Sequence, residues 1–272
     1  MPGDKSFCVA AIQMVSGTSL EMNLARAGEL VADAAAQGAR MALLPEYFCF
    51  MGRRDRDKLA IQEAHGDGPI QEFLAQTARR HGIWLLGGSL PLQSRDTDRI
   101  YNAMLVFGPD GQAVARYDKI HLFGFRKGDE SYDESISIRP GADQARVFDA
   151  PFGRVGLSIC YDLRFPELYR AMGEVALIVV PAAFTYTTGS AHWEILLRAR
   201  AIENQAFVVA PNQCGVNPCT NIVSHGHSMV IGPWGAVLAR AGDEERVLRI
   251  TLDPADLART RSRIPVLQHR RL

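Results

Sequence analysis

The stretch GLSICYDLRFPELYR, residues 156–170, decides how the rest of the chain is read. An apolar strand, Val155 to Ile159, runs into Cys160, and an arginine, Arg164, follows four residues later. Two other apolar runs end the same way: Glu46 follows ALLP at 42–45, and Lys119 follows the strand that closes in RYD at 116–118. In α/β folds, groups at the carboxyl ends of strands converge outside the sheet. A thiol, a carboxylate and an ammonium brought together there share one chemistry. The thiol sulfur attacks a carbonyl carbon, the carboxylate takes its proton and later activates water, and the ammonium stabilises the oxyanion. An ammonium nearby is also expected to lower the pKa of Cys160. Taken singly, each residue has a plainer use: a strand-end Cys is commonly a small buried hydrophobe, and an isolated Glu or Lys a solvated surface charge.

Around these three points the chain is organised as interleaved strands and helices. Phe7 to Met14 is apolar enough for a buried strand, and Leu20, Leu24, Ala27, Val31 and Ala34 recur at helical spacing in a segment ending near Gly38. Met41 to Leu44 is a short strand stopped by Pro45, and Pro69 opens a helix that runs to His81. Ile83–Leu86, Ala103–Phe107 and Ala113–Tyr117 read as strands, the last two joined by a Pro109-Asp110-Gly111 turn. In the second half, Val175–Val180, Ala206–Ala210, His227–Ile231 and Val247–Leu252 are strands, Ser190–Asn204 is a helix, and Pro254 starts a short one. Strands that follow one another directly, between helices, favour mixed sheets covered by helices. No linker or repeat divides the chain, so residues 1–272 are expected to form one domain, with a basic, irregular arm from about 264 to 272.

Composition narrows the class. The 272 residues carry 30 Lys+Arg against 30 Asp+Glu, which removes the basic excess of a dedicated nucleic-acid binder. Hydrophobic residues at 47% with 22% charged match a folded globular chain and not a disordered one. The most apolar stretch, Val175 to Phe184, is too short to span a bilayer and contains Pro181. Without a secretory leader, and with an odd set of five cysteines (Cys8, Cys49, Cys160, Cys214 and Cys219), the expectation is a cytoplasmic protein with reduced thiols. G-x-S-x-G, Walker-type and G-x-G-x-x-G signatures are absent. Cys214, Cys219, His225 and His227 have donor types that zinc accepts, but Cys-x₄-Cys followed by His-x-His is not a finger spacing. A papain-like pair of Cys160 with His121 or His192 lacks that family's local signature.

The words LLPEYF (43–48), YDKIHLF (117–123) and GLSICYDLRFPELYR (156–170), in that order, resemble the nitrilase, or carbon–nitrogen hydrolase, superfamily. AFTYTTGSAHWEILLRARAIENQ (183–205) and HGHSMVIGPWG (225–235) extend the likeness from Phe7 to the C-terminus. The resemblance implies an α/β fold, a four-layer α-β-β-α sandwich with two mixed β-sheets. It implies Glu46 as general base, Lys119 on the oxyanion side, Cys160 as nucleophile, and Glu134, in YDES, as a second glutamate positioning the lysine. The backbone N–H of Tyr161 becomes the other oxyanion donor, and Arg164, Phe184 and Thr185 are assigned to substrate. No metal or organic cofactor is implied, nor a nucleic-acid or membrane partner. A homodimer or larger homo-oligomer is, through segments 165–172 and 189–204 and the C-terminal arm. CYDLRFPELYR with TTGSAHWE resembles the branch containing deaminated-glutathione amidases and ω-amidases, and NQCG (212–215) and IPVLQHRR (264–271) lean to the former. The implied reaction is hydrolysis of deaminated glutathione to 2-oxoglutarate and cysteinylglycine through a thioester. The alternatives are ω-amidase action on 2-oxoglutaramate or a catalytically silent scaffold of the same fold. Gly189-Ser190 departs from the family's usual Gly-Pro, close to the expected pocket wall.

Overall fold

The structure, a computed structural model, describes residues 6–128, 130–217 and 220–271. The first half runs β1 (Phe7–Gln13), α1 (Leu20–Ala36), β2 (Met41–Leu43), α2 (Pro69–His81), β3 (Trp84–Leu86), β4 (Leu90–Gln93), β5 (Ile100–Phe107) and β6 (Ala113–Asp118). A polar hairpin, β7 (Gly124–Lys127) with β8 (Glu130–Asp133), leads to β9 (Arg146–Ala150), β10 (Gly153–Leu157), α3 (Pro166–Ala171) and β11 (Leu177–Val179). Then follow α4 (Tyr186–Asn204), β12 (Phe207–Ala210), β13 (Cys214–Val216), β14 (Val223–His225), β15 (Met229–Ile231), β16 (Val237–Arg240), β17 (Arg246–Leu252), α5 (Pro254–Arg263) and α6 (Val266–His269).

Two mixed sheets result. The first is ordered β17-β1-β2-β3-β5-β4 with β6 on the other edge of β5, and the second β16-β15-β12-β11-β10-β9. Each has three parallel strands at its centre, β1-β2-β3 in one and β10-β11-β12 in the other, with antiparallel strands outside. The central strands are buried on both faces, which explains their unbroken apolar sequences, but their period of two still sorts the side chains. Phe7, Val9 and Ala11 of β1, Met41 and Leu43 of β2, and Met104 and Val106 of β5 point toward the second sheet. Their neighbours Ala10, Ile12, Ala42 and Leu105 pack instead under α1 and α2, against Val31, Ala34, Ile70 and Leu74. Trp84 stacks on Phe148 across the two sheets, centroids 5.5 Å apart. On the far side, α4 lays Trp193, Leu197 and Ala201 onto the second sheet, and α3 packs beside it. A Cβ at Gly156 would sit 2.4 Å from Met172 Sδ, so a larger residue there would have to displace the methionine side chain that follows α3. The order of layers is α-β-β-α.

Helix ends follow local chemistry. Ser19 Oγ accepts from Met22 N at the start of α1, Pro69 opens α2, and Gly82 closes it in the left-handed region at φ 61°. The helix expected from Ser190 begins four residues earlier, because Thr185 Oγ1 accepts from Thr188 N and caps the chain there. Strands β4, β9 and β16 lie at or near sheet edges, and β7–β8 and β13–β14 stand as separate two-stranded pairs. Their short or exposed sequences lack a hydrophobic signature, and Pro91 is tolerated in β4 because the bridge to Glu63 on its outer side uses the Pro91 carbonyl, which accepts from Glu63 N, and needs no Pro91 N–H. The strand expected to begin at His227 starts at Met229, since Gly226 and His227 both take positive φ. The tail is not irregular throughout: Val266–His269 forms one helical turn, and Gln205 Nε2 donates to Ile264 O just ahead of it. No described helix is long and apolar enough to cross a membrane.

Candidate active site

The carboxyl ends of β2, β10, β11 and β12 open onto one buried place between the sheets. Past β2, the chain turns at Pro45, where Gly88 (φ 51°) lies so close that a Cβ would sit 2.0 Å from Pro45 O. Glu46 follows, 1% exposed. Its Oε1 accepts from Lys119 Nζ (2.9 Å) and Asn102 Nδ2 (2.9 Å), and its Oε2 from the backbone N–H of Ala183 (2.9 Å). Lys119 is 1% exposed and lies between two carboxylates, with Nζ also 3.0 and 2.7 Å from the oxygens of Glu134. Glu134 is tied further by the Tyr47 hydroxyl (2.7 Å) and Phe123 N (2.7 Å). The structure therefore gathers Glu46, Lys119 and Glu134 into one ion triad, with Cys160 beside Glu46.

Cys160 begins a 3₁₀ turn, Cys160–Arg164, with φ at +50°. Tyr47, the residue after Glu46, also has positive φ, +57°. Non-glycine residues in that region cost of order 1–3 kcal/mol each and persist only where their surroundings fix them. Here Cys160 N donates to Pro181 O (2.9 Å), and buried Asp162 locks the turn from below. Asp162 accepts from Ile159 N (2.9 Å), the Tyr117 hydroxyl (2.7 Å) and His121 N (3.1 Å), and meets His121 Nδ1 at 2.7 Å. His121 stacks flat on Phe165, centroids 3.7 Å apart. It serves the turn's architecture and pairs with Asp162, not with Cys160. Tyr161 is second in the turn, a position whose backbone N–H has no acceptor within the turn.

Charge in the site departs from the sequence expectation at one point. Burial pulls the Lys119 ammonium down, but Glu134 and Glu46 together more than offset it, and its pKa lies well above the usual lysine range. Burial also works against the Glu134 carboxylate, and Lys119 and Lys58 overcome it to hold the group below its ordinary value. The Cys160 thiol, by contrast, is not lowered by the lysine. Burial and then the Glu46 carboxylate push it well up, and Lys119 only partly counters them. These influences favour the neutral thiol, with the Glu46 carboxylate beside it.

Two hollows meet at Cys160. The smaller is a niche with Arg164, Phe184, Thr185 and Thr188 on its walls. Arg164 lies over the Tyr161 and Phe184 rings at 5.5 Å each and meets His192 Nδ1 at 3.1 Å, and among the described residues no carboxylate pairs with it. The larger, about 290 Å³, opens past Glu134 and Tyr47 toward Lys58. Ser190 lines neither hollow; it faces a groove on the outer side of α4, so the Gly-Ser departure does not touch Cys160.

Residues 8–262 match the family model described as carbon-nitrogen hydrolase. The chain belongs to the carbon–nitrogen hydrolase family. It is 40% identical to a deaminated glutathione amidase of Synechocystis over 98% of both chains. It is 39% identical to an omega-amidase of Homo sapiens, covering 98% of this chain and 95% of that one. Among solved structures, the C. elegans NitFhit protein superposes with a TM-score of 0.87 at 39% identity, covering 98% of this chain and 65% of that longer one. An amidase variant from Nesterenkonia sp. AN1, described with covalent addition of an acetamide moiety at its active-site cysteine, gives 0.83 at 29% identity over 100% of this chain and 95% of its own.

Within this carbon–nitrogen hydrolase, sequence reasoning missed Asn102, Asp162 and Tyr47. Asn102 had a visible signal: it is a lone amide inside the apolar run of β5, buried and aimed at Glu46. Cys214 pairs with His225 in the β13–β14 register, His227 meets Asp243 at 3.0 Å, and Cys219 lies outside the described residues. No group of three or more His, Cys, Asp or Glu side chains placed to hold a metal occurs among the described residues.

Proposed function

We propose that the chain is a thiol amidase acting on a 2-oxo dicarboxylic acid whose far carboxyl is an amide, with deaminated glutathione the preferred substrate. The observation that carries this reading is the niche beside Cys160, where Arg164, at the end of the same turn, has no acidic partner among the described residues. A guanidinium so placed takes the 2-oxo acid carboxylate bidentately, with Phe184 and Thr185 around the chain between carboxylate and amide. The names of the relatives in Synechocystis and Homo sapiens point to the same substrate class.

The mechanism follows from the triad. As Cys160 Sγ bonds to the amide carbon, its proton passes to Glu46, and the oxyanion develops against Lys119 Nζ and the Tyr161 N–H. Glu46 returns the proton to the leaving nitrogen, the C–N bond breaks, and a thioester remains on Cys160. Water, deprotonated by Glu46, attacks the thioester and releases the carboxylate, regenerating the thiol. Glu134 keeps Lys119 charged and in place throughout.

The test is an endpoint assay with deaminated glutathione and 2-oxoglutaramate side by side, reading 2-oxoglutarate through glutamate dehydrogenase. Arg164→Ala is expected to cut kcat/KM on both by about 10- to 100-fold, since a charged hydrogen-bonded pair contributes about 1.5–3 kcal/mol. Simple aliphatic amides turned over as well as either substrate, with Arg164→Ala indifferent, would defeat the reading. A scaffold without turnover would give no product in any arm.

Reduced thiols at Cys8, Cys49, Cys160 and Cys214 suit a cytoplasmic setting. The assembly proposed with this function is a homodimer through α4, supported by exposed Tyr186, Ile195 and Ile202 along that helix and Trp234 beside it. Light scattering is expected to give twice the chain mass, and Ile195→Arg to shift it toward the monomer; a monomeric parent would rule the dimer out.

A further inference from the structure

The larger hollow carries a cation that the chemistry above does not use. Lys58 sits in a 3₁₀ turn, Asp57–Ile61, with its half-buried side chain on the cavity wall and its ammonium 4.7 Å over the ring of Tyr47. Among the described residues no carboxylate forms an ion pair with it. Glu134, which faces it, is already taken by Lys119, the Tyr47 hydroxyl and Phe123 N. Asp133 in the same wall is held by Ser135, and Asp55 stands exposed at the rim. Partial desolvation without a bonded anion is unfavourable for an ammonium, and burial accordingly pulls its pKa below the usual lysine value.

The loop ahead of Lys58 is built to present more positive charge. Asp57 Oδ2 accepts from Arg53 N (2.9 Å) and Arg54 N (3.0 Å), which folds the loop back so that both arginines line the mouth of the hollow. Gly52 lies so close that a Cβ there would sit 2.7 Å from Asp57 Cβ. Neither guanidinium pairs with a carboxylate among the described residues. Cys160 thus stands between two cationic hollows, Arg164 in one and Lys58 with Arg53 and Arg54 in the other.

We infer that Lys58, with Arg53 and Arg54 at the rim, forms a second anion subsite that takes a carboxylate carried on the leaving amine. This rests on the amidase reading above and assigns the two ends of the substrate to the two hollows. A dipeptide leaving group reaches about 7 Å beyond the scissile nitrogen and ends in a carboxylate. 2-Oxoglutaramate leaves as ammonia and places nothing there. The subsite therefore separates the two candidate substrates by charge on the leaving side.

The experiment compares three substrates: deaminated glutathione, its C-terminal glycinamide, and 2-oxoglutaramate. The parent enzyme is expected to favour the free acid over the glycinamide by about tenfold in kcat/KM, a charge-assisted contact of ordinary strength. Lys58→Met should erase that ratio, raising KM for the free acid about tenfold more than for the glycinamide or 2-oxoglutaramate, whatever smaller change all three share through Glu134. Arg53→Gln/Arg54→Gln should lower the ratio in part and weaken its salt dependence. A Lys58→Met loss shared equally by all three substrates would assign Lys58 to supporting Tyr47 and overturn the subsite, as would a parent indifferent to the amide. Turnover of 2-oxoglutaramate without either peptide overturns the subsite and leaves the amidase chemistry standing. Turnover of none overturns both.

Discussion

Cys160→Ala is expected to lower kcat by about six orders of magnitude, the scale seen when a covalent nucleophile is removed. The fold should persist. Alanine keeps the Cβ that the +50° backbone already accommodates, and the turn is held by Asp162 and by Cys160 N on Pro181 O, which involve no sulfur. Mass spectrometry of the parent, quenched during turnover, should show a mass added on Cys160, and the variant none. The same pair reports the resting protonation state. Burial and Glu46 push the thiol up, so the parent-minus-variant absorbance at 240 nm should be flat at pH 7 and rise only on the alkaline side. A thiolate step below neutrality would refute the neutral resting thiol. Rapid alkylation by an amide-shaped reagent such as iodoacetamide is still expected, because it uses Glu46 as substrate does. Fast alkylation therefore reports the site's geometry and not a lowered pKa.

Lys119→Met is expected to have the next largest effect, on two measurements at once. Lys119 is the buried cation between Glu46 and Glu134. Removing one partner of such a group leaves uncompensated buried charge, at a cost of about 3–5 kcal/mol in stability. The loss of oxyanion stabilisation removes a further factor of about 10²–10³ in kcat. The pH dependence should change sign. In the parent, the lowered Glu134 pKa means that its contribution is present above the ordinary glutamate value and lost as acid carries the pH through the lowered one. The raised Lys119 pKa keeps that group's contribution intact up to its ordinary value and lets it go only as the pH climbs through the raised one. In Lys119→Met the two carboxylates face each other without a cation, so Tm should rise on acidification from pH 8 to pH 5. Lys119→Met/Glu134→Gln should recover most of the lost Tm and none of the activity. A single variant with the parent's Tm profile would contradict the triad's electrostatics.

Much of this site was legible in one dimension. Glu46 and Cys160 each stand just past an apolar run, and a run buried on both faces ends where the sheet ends, so their position at the mouth of the fold was written locally, whereas Lys119 follows the half-exposed β6 and carries no such mark. The helices of the first half were legible for the same reason: their apolar spacing and the Pro69 and Gly82 ends are short-range features. The charge state of Cys160 was not. Sequence names the lysine beside it, but only packing reveals that the lysine is already claimed by two carboxylates and that the thiol is buried. Asp162 escaped likewise. In the sequence it is one more acid after a cysteine, and it gains meaning only when Tyr117 and His121, from β6 of the other sheet and the loop beyond it, come down onto it. Edge strands such as β9 and β16 carry no periodic signal because one side of them faces solvent. The sequence by itself determined the residue types and the family chemistry, because those depend on what each strand ends with. Tertiary structure alone decided which charges compensate which, and that Arg164 and Lys58 flank Cys160 with no acidic partner among the described residues, because pairing and desolvation are properties of neighbours distant in the chain.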